Sequence, residues 1–271
     1  MTDSRKNKSE MSFLQHLDVL RWHLVRSAVA VLIFAIVIFL FPNFVFDEII
    51  LAQKDSNFWT YRMLCDLSHQ LGKGEMFCMG DIDFDLINIT MSGQFNMHIM
   101  VSLIGGLIVA FPYILFEVWR FVSPALAEKE RKYARRLIFV GSFLFLLGIL
   151  FGYFLISPFS VQFLGTYQVS ELVRNQVMLG SFISTVTTVT LSCGLVFQLP
   201  LVVYFLSKVG LVTPEFMRKY RKHAVVVILV VAAILTPPDV MSQILMSLPL
   251  IILYEFSILV SQRIAKENNN K

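Results

Sequence analysis

Charge is scarce in this sequence. Only 15% of its 271 residues are Asp, Glu, Lys or Arg, whereas soluble domains contain about 25%. Hydrophobic residues make up 56%, and the mean hydropathy is +0.68. Apolar segments recur along nearly the whole chain, and no polar stretch is long enough to bury a core of its own. This composition excludes a soluble globular protein and predicts one integral membrane domain over residues 1–271.

The motifs of common enzyme sites are also absent. The sequence contains no Gly-rich phosphate loop, no His-Glu-x-x-His and no Gly-x-Ser-x-Gly. Without a nucleotide site, any transport must draw its energy from a gradient or from partner proteins. We therefore expect no enzymatic activity, no cofactor and no metal site. The histidines are scattered and are expected at the surface or at helix ends: His16, His23, His69, His98 and His223.

Cysteine is rare, and the three that occur show no metal-ligand spacing. Cys193 lies within an apolar segment and is expected in the core. Cys65 and Cys78 share a long loop on the outer side, where oxidising conditions permit a disulfide. Such a bridge would stabilise the loop by about 3 kcal/mol in the chain-entropy model. The sequence leaves a disulfide and two free thiols as alternatives.

Six apolar segments predict six transmembrane helices in an all-α membrane protein. The first has no charge over about 20 residues, which is enough to cross a hydrocarbon core of about 30 Å. An amphipathic stretch before it, within residues 1–26, predicts a helix lying on the membrane surface. The fifth segment is only about 18 Å long as a helix. The spans are expected at about 27–46, 95–119, 137–156, 182–206, 224–235 and 241–260.

The distribution of Lys and Arg sets the expected topology. Nineteen of the 23 lie in the N-terminal segment, in loops 120–136 and 207–223, and in the tail 261–271. This bias places both termini in the cytoplasm. Cations at the ends of apolar segments indicate topology, and no nucleic-acid partner is expected. The outer loop 47–94 carries eight carboxylates, which we interpret as a solvated face and not as a calcium site.

Polar residues within the spans are the candidates for a functional interior. A charge at mid-membrane is costly unless it faces a polar environment. Glu255 has two open interpretations, a structural contact or a functional group that accepts a proton, whereas Gln198 and Gln243 are expected to hydrogen-bond between helices. Gly148 and Gly152 form a small-xxx-small pattern, which predicts close packing with a helix of this chain or of a partner.

Several motifs along the chain point to a known family. The most specific is Thr236-Pro-Pro-Asp-Val-Met-Ser-Gln243 after a short apolar segment. The others are Met100-Val-Ser-Leu103, Pro112, Val118-Trp119, Phe121-Val-Ser-Pro-Ala-Leu126, Glu130-Arg131 and Gln198-x-Pro200. From about Phe13 to Arg263 the chain therefore resembles the TatC family, the polytopic core of the twin-arginine protein translocase.

The resemblance implies a receptor that binds the twin-arginine signal peptides of folded cargo at the cytosolic face. It implies a protein of the plasma (inner) membrane with both termini cytoplasmic, a concave arrangement of six spans, and short fifth and sixth helices. Expected partners are TatA-type and TatB-type single-span proteins, further copies of this chain and the lipid bilayer. With these partners the protein would form a translocation route driven by the proton-motive force.

The resemblance also assigns site residues. Glu130 would accept an arginine of the signal peptide through two parallel hydrogen bonds, which lysine cannot imitate. From charge alone, Glu130 is a solvated carboxylate among six cations. Where the family pattern has Glu, this chain has Val19, and neighbouring Asp18 is the expected substitute. The remaining assigned residues are Arg21, Phe121, Pro124 and Leu126 for the peptide, and Pro237, Pro238 and Asp239 in the outer turn.

Two other functions are less consistent with the sequence than the receptor. A small-molecule or ion transporter would carry substrate groups at the midplane between repeated halves, and no such repeat is visible. A membrane-embedded hydrolase would need a Ser-His or paired-Asp arrangement, which the spans do not offer. The family position that is commonly Glu in the fourth span is Gln198 here, so a proton-coupled role at that site does not carry over.

Overall fold

The computed structural model describes residues 13–55, 57–70, 72, 84–122, 134–170, 175–237 and 239–269. A π-helical segment spans Phe44–Ile50, a 3-10 turn spans Leu51–Lys54, and a second π-helical segment spans Gly152–Ile156. The α-helices are α1 (Phe13–Phe39), α2 (Trp59–Gln70), α3 (Gly93–Val122), α4 (Ala134–Phe151), α5 (Ser157–Thr166), α6 (Leu179–Val196), α7 (Leu199–Lys208), α8 (Pro214–Lys219), α9 (Arg221–Leu235) and α10 (Val240–Asn269).

Within these described ranges, five helical stretches are long and apolar enough to cross a membrane, so the predicted helical membrane protein is confirmed. Two of them are compound: α4 continues through the second π-helical segment into α5, and α6 is followed by α7 after a short break. Helix α9 has 15 residues, or about 22 Å, and is shorter than the other five. The five stretches are Asp18–Phe39, Gly93–Val122, Arg136–Thr166, Leu179–Lys208 and Val240–Lys266.

The N-terminal region differs from the sequence-based expectation. The prediction of a surface helix separate from a first span at 27–46 is wrong, because α1 is one continuous helix of 27 residues. No Gly or Pro interrupts residues 13–39, so nothing separates the amphipathic start from the apolar part. The helix ends just before Pro42, which fits the restriction that proline places on the preceding backbone.

The prediction of a short sixth helix is also wrong, since α10 has 30 residues. Its polar last turns carry no helix breaker and continue the helix beyond the apolar part. Pro249 lies inside α10, and such prolines are tolerated in membrane helices when neighbouring groups satisfy the freed backbone carbonyl.

Some regular structure lies in the segment expected to be only a loop. We call the described part of the predicted loop 47–94 the outer segment. Besides α2, it contributes a three-residue strand β1 (Asp85–Ile87), which pairs in parallel with β2 (Gln176–Met178) just before α6. Leu86 lies opposite Val177 in this pairing. The two strands therefore attach the outer segment to the start of the fourth long helical stretch.

Glycines allow the long helices to approach closely. A Cβ on Gly106 would lie 2.7 Å from the carbonyl oxygen of Val31 and from the amide nitrogen of Ala35, so α3 contacts the α1 backbone there. A Cβ on Gly148 would lie 2.7 Å from the Cys193 carbonyl oxygen, and one on Gly152 would lie 2.8 Å from the Cys193 Cβ. The small-xxx-small pattern is therefore filled by α6 of the same chain, the first of the two predicted alternatives.

The outer segment is anchored on the second π-helical segment. Such a segment leaves backbone carbonyls without their usual helical partners. The buried side chain of Gln53 donates to the carbonyl of Tyr153 at 3.0 Å and accepts from the Ser157 hydroxyl at 2.6 Å. Thr60 donates to the carbonyl of Phe154. These contacts fix residues 44–55 and 57–70 against the C-terminal part of the third long stretch.

Candidate functional site

The N-terminal half of α1 and the C-terminal end of α3 meet at a buried polar contact. The Nδ1 atom of His23 hydrogen-bonds to a carboxylate oxygen of Glu117. Both side chains are buried, with exposed residue fractions of 9% for His23 and 2% for Glu117. Tyr113, one turn earlier on α3, supplies another hydrogen-bonding group to the carboxylate, and Arg26 contributes positive charge nearby.

Aromatic packing continues this contact towards the end of α3. The ring of Phe121 meets the His23 imidazole edge-on, with centroids 6.1 Å apart. Phe121 is the one member of the predicted peptide set on α3 that the structure describes. Pro124, Leu126 and Glu130 lie outside the described residues, so their predicted roles stay predictions.

The early turns of α1 present charged groups beside this contact. Asp18 and Arg21 are both exposed, as expected for residues that would meet a peptide. Val19, which stands where the family pattern has Glu, is 37% exposed and lies one helical turn before His23. Residues i and i+4 share a helix face. The face of α1 that carries Val19 therefore also carries the histidine that contacts Glu117.

Sequence reasoning missed both members of the buried pair. Glu117 lies inside the predicted span 95–119 and is the carboxylate that an inspection for intramembrane charge could have found. His23 was expected at the surface or at a helix end, and that expectation is wrong because α3 covers it. His98, near the start of α3, is half-buried; it stacks on Phe39 at 3.9 Å and lies edge-on to Phe46 at 5.6 Å.

The predicted intramembrane polar residues connect helices. Gln198 donates to the carbonyl of Gly141 at 2.9 Å, and Gln243 donates to the carbonyl of Leu229 at 3.3 Å. The expected interhelical hydrogen bonds of both glutamines are therefore present. Glu255 accepts a 2.6 Å hydrogen bond from Arg221, and both side chains are about half exposed.

The turn between α9 and α10 is organised by Asp239. Its Oδ1 atom accepts a 2.6 Å hydrogen bond from the backbone amide of Ser242, which caps the start of α10. Its Oδ2 atom accepts from the Ser160 hydroxyl at 3.3 Å, and the hydroxyls of Ser160 and Ser242 lie 2.8 Å apart. Pro237 precedes the cap and is partly buried, whereas Pro238 lies outside the described residues.

The two described cysteines, Cys65 and Cys193, differ in their chemistry. Cys65 is disulfide-bonded, and Cys193 is a buried free thiol in the packing between α4 and α6. Cys78 lies outside the described residues, so the particular pairing of Cys65 with Cys78 stays a prediction.

The chain is similar to known proteins over most of its length. The profile of the family described as Sec-independent protein translocase protein (TatC) matches residues 15–249. A TatC protein of Blattabacterium sp. subsp. Periplaneta americana (strain BPLAN) is 39% identical over 268 residues, covering 97% of this chain and 99% of that protein. The TatCy protein of Bacillus subtilis (strain 168) is 33% identical, covering 96% of this chain and 92% of that protein.

Solved structures give the same result. A crystal structure of the twin-arginine translocase receptor TatC in DDM superposes with a TM-score of 0.70 at 32% identity, covering 91% of this chain and 99% of that one. A second TatC receptor structure gives 0.67 at 31% identity, with coverages of 92% and 99%. The fold is therefore that of a polytopic helical membrane protein of a transport class. The chain belongs to the TatC family and is a membrane component of the twin-arginine, Sec-independent protein translocase.

Proposed function

We propose that this translocase subunit is the receptor for the twin-arginine signal peptides of folded cargo, and that it binds them at its cytosolic face. The observation that carries the proposal is the contact of His23 with Glu117 and Phe121. It lies where α1 meets the end of α3, from which the loop 120–136 continues. These two regions are the ones to which the resemblance assigns signal-peptide binding.

Glu130 and Asp18 are proposed as carboxylates for the peptide, with Arg21, Phe121, Pro124 and Leu126 as further contacts. Two oxygens of a carboxylate match the two parallel N–H groups of guanidinium, which explains a requirement for Arg over Lys. The exposed position of Asp18 supports its part in this set.

We further propose six membrane crossings with both termini in the cytoplasm of a cell whose plasma (inner) membrane holds the protein. The positive-inside bias supports this orientation. Helix α9 would be the fifth crossing, and at about 22 Å it would cross only where the bilayer is thinned or wet. The spans would form the concave wall that the family resemblance implies.

Membership of a translocase implies partnership with its other subunits. TatA-type and TatB-type single-span proteins and further copies of this chain are the proposed partners, in a route driven by the proton-motive force. No catalytic step is proposed. Glu255, Gln198 and Gln243, with the outer turn 237–239, are the intramembrane and outer polar groups available to that assembly.

Peptide binding tests the receptor proposal. The purified full chain in detergent would be titrated with a fluorescent signal peptide that carries Arg-Arg and with the matched Lys-Lys peptide. We expect the Lys-Lys peptide and the Glu130→Ala variant to lose binding, and Asp18→Ala to weaken it. Equal affinity of the wild type for both peptides would refute an arginine receptor.

A further inference from the structure

Glu117 is a carboxylate buried within the membrane-spanning part of the protein, at the end that faces the cytoplasm in the proposed topology. It lies five residues before the end of α3, or about 7.5 Å along the helix axis. Among the described carboxylates, only Glu117 and Asp239 are buried. Asp239 already accepts a helix-capping amide and a serine hydroxyl, so its two oxygens serve the fold.

The buried carboxylate of Glu117 has three neighbours that stabilise its charge. Taking a carboxylate out of water costs several kcal/mol unless it is paired and well hydrogen-bonded. Here one imidazole nitrogen of His23 hydrogen-bonds to it, Tyr113 supplies a second hydrogen-bonding group, and Arg26 contributes positive charge nearby. An ionisable group retained inside a membrane segment is best explained by a function that uses it.

The position of His23 suggests what that function is. Its side chain is 11% exposed against 2% for Glu117, so the imidazole is the more exposed member of the pair. Val19, one turn before His23 on the same face of α1, occupies the place where the family pattern carries Glu. Glu117 therefore contacts the face of α1 on which that carboxylate is missing.

We propose that Glu117 supplies the second carboxylate for the twin-arginine motif and that His23 is its resting partner. The inference rests on the proposed receptor function and deepens it. An entering guanidinium donates two N–H groups to the two oxygens of Glu117, and the imidazole of His23 moves away from the carboxylate. Phe121, now edge-on to that imidazole, provides an aromatic ring beside the incoming planar cation.

Hydrogen-bond geometry and hydration both favour arginine over lysine in this exchange. A guanidinium replaces the imidazole hydrogen bond with two charge-assisted bonds and neutralises the buried carboxylate. A lysine ammonium is strongly hydrated and lacks the planar fork, so it gains less when it leaves water. Glu117 thus acts as a specificity-determining residue. The exposed Asp18 would meet the peptide nearer to water, and Glu130 would meet it from the predicted loop 120–136.

The test compares substitutions at the two partners. Glu117→Gln keeps the size and removes the charge, and we expect Arg-Arg peptide affinity to fall by about tenfold or more. His23→Ala removes the resting partner, and we expect affinity equal to or above that of the wild type. If the pair only holds α1 against α3, both substitutions should weaken binding to a similar extent, and this result would overturn the inference.

Two further variants complete the design. Val19→Glu in the Glu117→Gln background restores a carboxylate one turn away on the same face, and we expect a several-fold recovery of affinity. Asp66→Asn removes a charge from an exposed position of α2 on the outer side and should bind like the wild type. Unchanged binding by Glu117→Gln, when the wild type prefers Arg-Arg, would exclude this inference alone. A wild type without that preference would instead exclude the receptor function.

A measurement on the wild type covers the case in which Glu117→Gln does not fold. A signal peptide with a photoreactive residue beside the arginine pair is crosslinked to the intact protein, and the adducts are mapped by mass spectrometry. We expect adducts on α1 around Trp22 and on α3 around Phe121. Adducts confined to other parts of the chain would show that the arginines do not reach Glu117.

Discussion

The Oδ1 atom of Asp239 accepts a 2.6 Å hydrogen bond from the backbone amide of Ser242. This bond closes the first turn of α10, and the second carboxylate oxygen connects that turn to Ser160 of α5. The most specific motif of the sequence therefore has a structural task in the described chain. Its Asp239 caps the membrane helix α10 and joins that helix to Ser160 of α5.

Replacing Asp239 should destabilise the protein. In Asp239→Ala the cap is lost and the buried Ser160 hydroxyl loses one of its partners, so we expect a loss of about 1–3 kcal/mol. Asp239→Asn keeps an oxygen for the amide of Ser242 and should lose less. Unfolding of the purified variants in detergent, followed by tryptophan fluorescence, measures the difference. Equal loss in both variants would indicate that the charge, and not the cap, is what matters.

The close approach of α1 and α3 depends on Gly106. In Gly106→Ala the new methyl group would lie 2.7 Å from backbone atoms of α1, which cannot rotate away. We expect a destabilisation of about 1–3 kcal/mol, as is typical of overpacking. Gly180→Ala is the matched control, since its Cβ would meet only the end of the Met97 side chain at 3.7 Å. Comparable melting temperatures for the two variants would contradict this account.

The outer segment should loosen when its anchor is removed. Gln53→Ala leaves the carbonyl of Tyr153 and the hydroxyl of Ser157 without their Gln53 partner, with an expected cost of about 1–3 kcal/mol. Limited proteolysis from the outer side of reconstituted vesicles should cut residues 44–70 faster than in the wild type. Gln70→Ala, at an exposed position at the end of α2, should leave the cutting rate unchanged.

Substituting each member of the Arg221–Glu255 ion pair distinguishes the two interpretations of Glu255, a structural contact and a functional carboxylate. Both side chains are about half exposed, and exposed pairs contribute about 0–1 kcal/mol. We therefore expect Glu255→Gln and Arg221→Gln each to leave stability nearly unchanged. Export of a folded twin-arginine reporter by cells carrying each variant then decides the role. Equal export defects indicate that the pair matters as a contact, and a defect confined to Glu255→Gln indicates a function of the carboxylate itself.

Much of the fold followed from local composition, but its details did not. The apolar segments gave the positions of the long helices because twenty uncharged residues are recognisable without any knowledge of their neighbours. The continuity of α1 from Phe13 to Phe39 and the length of α10 were missed because amphipathic and polar turns carry no signal that separates them from an adjoining helix. The shortness of α9 was evident from its few apolar residues.

The candidate site was less predictable than the spans. Gln198 and Gln243 were correctly expected to bond between helices, since an amide within a membrane span must find its partner in the protein. Glu117 was overlooked among apolar neighbours, and His23 was placed at the surface. Their contact spans 94 positions of sequence, and no periodicity within either helix indicates which residue of the other it will meet.

By itself, the sequence determined that this protein lies in a membrane, which segments are long and apolar enough to cross it, and which side its cations favour. These properties are sums of the transfer free energies of neighbouring residues and need no tertiary contact. Only the tertiary structure decided that Glu117 is paired with His23, Glu255 with Arg221, and Asp239 with Ser160. Buried polar groups must be satisfied by whatever the packed helices bring near, and that depends on the glycine-lined contacts that set how closely the helices approach.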